Sequence, residues 1–432
     1  MSPHPDPAPG RLAVTPDTPL DQVVQAVREW VAQAVPEEWV EAGRRGGPSA
    51  VREVRTRAAY EAWYPVFGRS GLVVPTWPVA YGGLDLAADA ARRIDQELAP
   101  FNLGRLNPLG LNLAAPALMG HGTEDQRRRF LPPIVANHEV WCQLFSEPGA
   151  GSDLASLATR AEPDGDQWLV TGQKVWTTWA HRSDWAVLLA RTDADVAKRR
   201  GLTYFLIDLH QPGVDIRPLR HMGGDAEFNQ VFLDRARVPD GQRVGPVGQG
   251  WTVANATLSG ERQMVSGSGS GGVDRIGGSG VGHLIRLAGH AGRAGAGAHP
   301  LGRQRIAGLL AEERIREWTN LRVRMARGAG RPAGPESSVG KVHQGELNQR
   351  IQLAATDALG PAATAWAADP DGPADYASGL PHEVRGMLRS RANTIEGGTS
   401  EVLRNQMAER ILGLPRDFEA DKGVAWAQVT RN

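Results

Sequence analysis

A helical stretch, then a β stretch, then a second helical stretch predict an α+β protein of several domains for this 432-residue chain. Apolar residues recur at steps of three and four from about residue 18 to 135, and again from about 246 to 415. Between 136 and 245 they fall instead into short runs rich in Val, Leu, Thr and aromatics, split by Pro, Gly and Asp. The chain is also too long for one small core. Helices and strands do not alternate as a doubly wound sheet requires.

Composition bounds the function. Apolar residues make up 41% and charged residues 22%, ordinary for a soluble globular protein. Lys plus Arg and Asp plus Glu both number 48. That balance argues against a nucleic-acid or anionic-membrane partner, each of which favours a basic face; a local basic patch stays open. A single cysteine, Cys142, rules out an internal disulfide framework or a Cys-based metal site and fits a reducing cytoplasm. It lies in the apolar run "VWCQLF" and reads as buried packing rather than as a nucleophile. No apolar run reaches the ~18–20 residues of a membrane span.

The elements follow in order. Residues 1–17, proline-rich and polar, lack the basic and apolar regions of a signal peptide and read as a disordered tail. The N-terminal helical domain is expected over 18–135. In "LDQVVQAVREWVAQAV", Leu20, Val23, Val24, Val27, Trp30 and Val31 share one helix face, and "TPDTP" before it is a start signal. "PTWPVAYGG" is a turn-rich break, and "TEDQRRRFLPPIVAN" reads as a short helix stopped by Pro132 and Pro133. A compact all-β domain is expected over 136–245, with strands in "QWLVTGQKVWTTWA", "WAVLLART", "GLTYFLIDL" and "QVFLDRARV". Helices return over 246–415, clearest in "RQRIAGLLAEERIREWTNLRVRMARG" and "ELNQRIQLAATDALG", before a C-terminal tail at 416–432. "GSGSGG", Gly267 to Gly272, fits a dinucleotide fingerprint only by letters, because the stretch before it reads as helix and not as strand. The eight glycines from Gly267 to Gly282 suit close approach of another helix or a broken, mobile one.

The chemistry concentrates in "QLFSEPGAGSDLASLATRAEPDGDQWLVTGQKVWTTWA", Gln143 to Ala180. Pro148, Gly149 and Gly151 make a tight turn whose N–H groups can approach a ligand, and Ser146 and Ser152 add hydroxyls. Trp176 is an aromatic plate flanked by Thr177 and Thr178. Such a set suits a flat heteroaromatic cofactor; it suits equally a glycine turn and a core Trp.

"FSEPGAGSD" and "GQKVWTT" resemble the two flavin-site signatures of the acyl-CoA dehydrogenases, and "GTSEVLRNQMAERILGLPR" (Gly398 to Arg416) resembles that family's C-terminal signature. "WPVAYGG" and "GPESSVGKVHQGELNQR" are similar to the actinobacterial type. The resemblance spans about residues 20–415. It implies an N-terminal helical domain, a central β-barrel or sandwich and a C-terminal four-helix bundle. It also implies FAD as cofactor and oxidation of acyl-CoA thioesters to 2-enoyl-CoA. By motif, Gln143, Phe145 and Ser146 would meet the flavin, and Gly151 and Ser152 the cofactor phosphates or the acyl-CoA. Trp176, Thr177 and Thr178 would flank the ring, and Thr399 and Glu401 would lie near the FAD of the same or a neighbouring subunit. Electron-transfer flavoprotein is the implied acceptor, and a homotetramer or a hetero-oligomer with a related subunit the implied assembly.

The base is the open question. In the medium-chain type a Glu directly precedes Gly-Thr-Ser; here Gly397 holds that place and Glu396 falls one residue earlier. One residue turns a side chain by about 100° on a helix, or to the opposite face of a strand, so Glu396 reads as structural. Isovaleryl-CoA and long-chain types carry the base within a Glu-Arg pair on a C-terminal-domain helix. "LSGERQMVSG" resembles that arrangement, which makes Glu261 the candidate base and Arg262 a CoA contact. Gly397 retains a backbone N–H for the thioester oxygen. The family's Arg-x-x-Phe-Gly stretch has no clean match: Leu301-Gly302 stands for Phe-Gly, with Arg303 the substitute phosphate contact. That departure keeps two alternatives in view, a partner-dependent non-catalytic subunit, and a flavin oxidase or carrier-protein-linked dehydrogenase on the same fold.

Overall fold

The computed structural model describes residues 10–265, 280–290, 299–328, 336–364, 380–416, 418 and 421–430. Six helices open the chain: α1 (Leu20–Ala34), α2 (Glu37–Val54), α3 (Arg57–Arg69), α4 (Ala88–Leu98), α5 (Ala115–His121) and α6 (Glu124–Ala136). The apolar spacing of α1 buries Val23, Val24, Val27, Trp30 and Val31, while Leu20, at the start of the first turn, stays 44% exposed. "TPDTP" supplies no side-chain cap, since Pro19 occupies the N-cap. Trp30, Trp39, Tyr60, Trp63, Tyr64 and Phe67 join α1, α2 and α3 through ring contacts with centroids 5.5–6.1 Å apart. Each such pair contributes about 0.5–1.5 kcal/mol beyond its burial.

Helix α6 corrects one sequence expectation. It opens on a capping box, Thr123 with Gln126, and runs through Pro132 and Pro133 to Asn137, which closes it in the left-handed region at φ 56°. The two prolines forfeit N–H groups late in the helix. Packing of Phe130, Leu131, Ile134 and Val135, all buried, outweighs that loss. Gln126 also donates from Nε2 to the carbonyls of Gly241 (2.9 Å) and Arg243 (2.8 Å), tying α6 to the sheet.

The middle of the chain is one eight-stranded mixed sheet. Its strands are β1 (Trp141–Leu144), β2 (Arg160–Asp164), β3 (Gln167–Thr178), β4 (Trp185–Arg191), β5 (Leu202–Asp208), β6 (Val214–Leu219), β7 (Phe228–Pro239) and β8 (Arg243–Val244). Their order is β6-β7-β3-β2-β4-β5-β8, with β1 parallel to β4. β4 and β5 are almost wholly buried, which is why they read as continuous apolar runs rather than alternating ones. Cys142 is buried in β1, and burial pushes its thiol up to about 12, so it is packing and not a nucleophile.

Helices α7 (Gly250–Val265), α8 (Val281–His290), α9 (Pro300–Gly328), α10 (Glu336–Leu359), α11 (His382–Ser390) and α12 (Ser400–Arg410) complete the fold, with α10 packed against α7, α8, α9, α11 and α12. Helix α7 crosses a one-turn π-helix at Gly110–Ala114. A Cβ on Gly260 would lie 1.8 Å from the Asn112 carbonyl oxygen, so only glycine allows this crossing. Thr257 donates to the Leu113 carbonyl (3.0 Å) and shares a 2.7 Å hydrogen bond with Tyr204 of β5. The π-turn thus presents its Leu113 carbonyl to α7. Among the described residues no helix is long and apolar enough to cross a membrane. The "GSGSGG" stretch lies outside the described residues.

Candidate active site

The glycine turn is built from its anchors outward. Glu147 and Ala150 exchange backbone hydrogen bonds of 3.0 and 3.1 Å, closing a tight turn on Pro148 and Gly149. The Glu147 carboxylate accepts from the N–H groups of Ala158 (2.7 Å) and Thr159 (2.9 Å), and from Lys174 Nζ at 2.8 Å. Lys174 is fully buried in β3 and also donates to the carbonyls of Phe145 (3.0 Å) and Leu189 (2.9 Å). Burial pushes the Lys174 ammonium down to about 8 against the pull of Glu147. Burial alone would raise Glu147, but Lys174 and the two N–H donors hold it below the usual carboxylate range. The pair therefore stands ionised at neutral pH and fixes the turn from beneath. Above it, a Cβ at Gly149 or Gly151 would meet nothing within 4 Å, leaving the backbone open to a ligand.

Trp176 sits beside this turn. Between the pairs Lys174–Val231 and Thr177–Asn229, β3 carries one more residue than β7. This bulge holds Trp176 at φ 61°, with the residue 56% exposed. A left-handed non-glycine residue costs about 1–2 kcal/mol, and bulges commonly re-aim a side chain near a site. The Val175 N–H donates to the Ser146 carbonyl at 2.9 Å, joining bulge and turn. Ser146 and Thr178 are half-buried and Ser152 is exposed. The Thr177 hydroxyl is buried without a hydrogen-bond partner, and the Phe145 ring packs edge-on against Tyr204 in the core. Gln143 lies in β1 opposite Val187.

The C-terminal helices reach the same place. The Trp176 ring meets Phe228 edge-on at 5.8 Å, and the Arg389 guanidinium of α11 lies 5.5 Å from the Phe228 centroid. Arg389 donates to Glu227 (3.1 Å) and to Glu396 (3.0 Å), and Asn393 adds a 2.7 Å hydrogen bond to Glu396. Glu227 also pairs with His221 at 2.8 Å. His221, Asp225 and Glu227 converge as potential metal ligands, but Arg385 and Arg389 already neutralise the two carboxylates, which disfavours a cation there. Gly397 and Gly398 follow at φ 66° and 94°, conformations that call for glycine. The buried Lys341 donates to the Gly398 carbonyl at 2.5 Å, and Thr399 caps α12 by accepting from the Val402 N–H.

A cleft of about 490 Å³ opens between the π-turn and α5 on one side, with Leu111, Asn112 and Met119, and α7 on the other, with Ala256 and Gly260. Glu261 and Arg262 follow Gly260 directly in α7; their side chains lie outside the described residues. Arg303 stands in the first turn of α9, which packs on α8 and α10, and Glu401 is exposed on α12. Sequence reasoning missed Glu147, Lys174, Lys341 and Arg389. The Glu in "SEPG" and the Lys in "GQKV" stood inside the quoted motifs, and their opposite charges were the available signal.

Family models match the chain in three consecutive blocks: the acyl-CoA dehydrogenase N-terminal domain at residues 20–138, the middle domain at 142–236 and the C-terminal domain at 248–412. The chain belongs to the acyl-CoA dehydrogenase family of flavoprotein oxidoreductases. It is 39% identical over 398 residues to the acyl-CoA dehydrogenase IpdE1 of Mycobacterium tuberculosis, covering 90% of this chain and 97% of that one. Among solved structures it resembles the Tcur3481-Tcur3483 steroid ACAD, with TM-score 0.69, 25% identity and coverage of 94% and 100%. It also resembles the ChsE4-ChsE5 complex from Mycobacterium tuberculosis, with TM-score 0.66, 26% identity and coverage of 94% and 100%.

Proposed function

We propose that the chain catalyses FAD-dependent α,β-dehydrogenation of an acyl-CoA thioester to the 2-enoyl-CoA, with Glu261 as general base. The observation that carries the reading is Trp176: an exposed tryptophan held in the left-handed region beside the open glycine turn, its ring edge-on to Phe228. Exposure and strain both disfavour a Trp there unless a flat ligand covers it. The residues present fit FAD. The turn offers unobstructed backbone at Gly149 and Gly151 for phosphates, and Trp176 and Thr178 offer an aromatic face and a hydroxyl for the ring.

FAD, when bound, supplies the acceptor for the hydride that leaves the β carbon. The protein must remove the α proton and stabilise the charge that builds on the thioester oxygen. The Gly397 N–H, on a backbone braced by Lys341 and the Arg389–Glu396 contact, is assigned to that oxygen. Glu261 is assigned the α proton on the resemblance of "LSGERQMVSG" to the Glu-Arg pair of the isovaleryl-CoA and long-chain types, and the electron pair of the broken C–H bond becomes the new C=C. Glu396 is assigned a structural role, because Arg389 and Asn393 already hold its carboxylate oxygens. Arg262 is assigned to CoA, electron-transfer flavoprotein to reoxidation, and the acyl group to the cleft. The similarity to the Tcur3481-Tcur3483 steroid ACAD supports including bulky, steroid-derived thioesters among the substrates tested.

A second reading is a subunit that completes its site only with a related chain. Two observations favour it: Leu301 and Arg303 depart from the family's Arg-x-x-Phe-Gly stretch, and the similar solved structures include the ChsE4-ChsE5 complex. One experiment separates the readings. The purified chain is titrated anaerobically with short, branched, long and steroid-derived acyl-CoAs while its flavin absorbance is followed. Bleaching by one class supports the proposal. A colourless chain that gains flavin and turnover only with a co-expressed partner supports the second reading.

A further inference from the structure

The C-terminal segment 421–430 lies beyond the last family-matched residue, 412, yet it packs on the central sheet. The Trp426 N–H donates to the Val196 carbonyl (2.8 Å) and the Ala427 N–H to Ala194 (2.9 Å), while Ala425 bridges Ala197. These partners lie in the loop joining β4 to β5. The indole Nε1 of Trp426 reaches back to the Ser156 carbonyl at 3.2 Å. Its ring covers the guanidinium of Arg191 at 4.3 Å. Arg191 is buried and donates to the carbonyls of Ala155 (2.7 Å), Leu157 (3.1 Å) and Lys198 (3.0 Å). Lys198 in turn bridges Asp153 (2.7 Å) and Asp421.

The backbone contacts seat the segment on the β4–β5 loop, and the side-chain contacts reach residues 153–157: Trp426 meets Ser156, Arg191 meets Ala155 and Leu157, and Lys198 meets Asp153. That stretch follows Ser152 directly and precedes Ala158 and Thr159, whose N–H groups fix Glu147. The glycine turn is thus clamped at one end by Lys174 and Glu147 and at the other by Arg191, with Trp426 closing the face of Arg191. A guanidinium sandwiched between carbonyls and an indole has few alternative geometries, so the stretch after Ser152 inherits its position from the C-terminal segment.

We propose that residues 421–430 form a strap that positions the Gly149–Ser156 loop for the diphosphate of a bound nucleotide, with Trp426 as the positioning residue. The inference rests on the functional reading above. FAD and CoA both carry a diphosphate, and separate titrations tell them apart.

Full-length protein stripped of ligand, Trp426→Ala, Trp426→Phe and Lys198→Met are each titrated with FAD by fluorescence and with free CoA by calorimetry. Amide exchange of residues 149–158 is followed by mass spectrometry. Trp426→Ala should raise the dissociation constant for FAD, or for CoA, by about tenfold and accelerate exchange in that segment. Trp426→Phe, which keeps an aromatic face on Arg191, should recover most of the loss. Lys198→Met cuts the Asp153–Asp421 link without touching Trp426, and should speed exchange even if Trp426→Ala does not fold. Unchanged affinities for both ligands with unchanged exchange in the folded variants would overturn the strap. A wild-type chain that binds neither ligand would overturn the functional reading instead.

Discussion

At the scale of residues, Lys174 carries the heaviest local consequence. It is a fully buried cation, and among the described residues its carboxylate partner is Glu147. Removing one member of a buried pair typically costs about 3–5 kcal/mol, because the other charge is left uncompensated. Lys174→Met should therefore lower the stability measured by urea unfolding by about that much, and release the turn that carries Gly149 and Gly151. Glu147 also sets a pH dependence. Its folded pKa lies below its ordinary 4.5, so its contribution is complete above that value and fades as pH falls through the lowered folded pKa. Wild-type stability should drop with acid from about pH 4.5 downward, and Glu147→Gln should flatten part of that slope in thermal melts run between pH 3 and pH 6. At Gly397 the backbone is the constraint. A Cβ at φ 66° costs about 1–2 kcal/mol, so Gly397→Ala should show a reduced melting temperature and, because the loop shifts, weakened thioester binding.

At the scale of elements, α7 depends on what it crosses. Gly260 admits the Asn112 carbonyl where any side chain collides. Gly260→Ala should push α7 off the π-turn, cost about 1–3 kcal/mol of stability and raise KM more than it lowers kcat, as steady-state kinetics would show. Elements of this kind divide into those legible in sequence and those not. Helix α1 was legible because five of its six marked apolar residues face the core; the sixth, Leu20, sits before the helix is fully packed. Strands β4 and β5 were legible as apolar runs bounded by turns. Helix α6 was misread at Pro132 and Pro133, because a local rule about proline cannot weigh the tertiary burial of Ile134 and Val135. The glycine-turn stretch was legible as a motif, yet its supports were not. Lys174 meets Glu147 across 27 residues and Arg389 meets Glu227 across 162, and no periodicity records contacts of that range. The strap contacts of Trp426, 270 residues from Ser156, were invisible for the same reason.

At the scale of the whole molecule, the sheet and the C-terminal helices meet where Arg389 lies over Phe228 beside Trp176, and α7 meets the N-terminal helices at the cleft. Helix α9 meanwhile leaves Ile315, Trp318, Leu321 and Met325 exposed at steps of three and four, a stripe of the kind that marks subunit contacts. Sedimentation of the purified chain is expected to show an oligomer, and Trp318→Arg is expected to shift it to smaller species. The decisive question is which carboxylate takes the α proton. Glu261 and Glu396 are each replaced by Gln, and anaerobic flavin bleaching is recorded with the acyl-CoA that bleaches the wild type. Glu261→Gln is expected to keep its flavin spectrum and fail to bleach, while Glu396→Gln still bleaches. A fully active Glu261→Gln beside an inactive Glu396→Gln would contradict the assignment of Glu261.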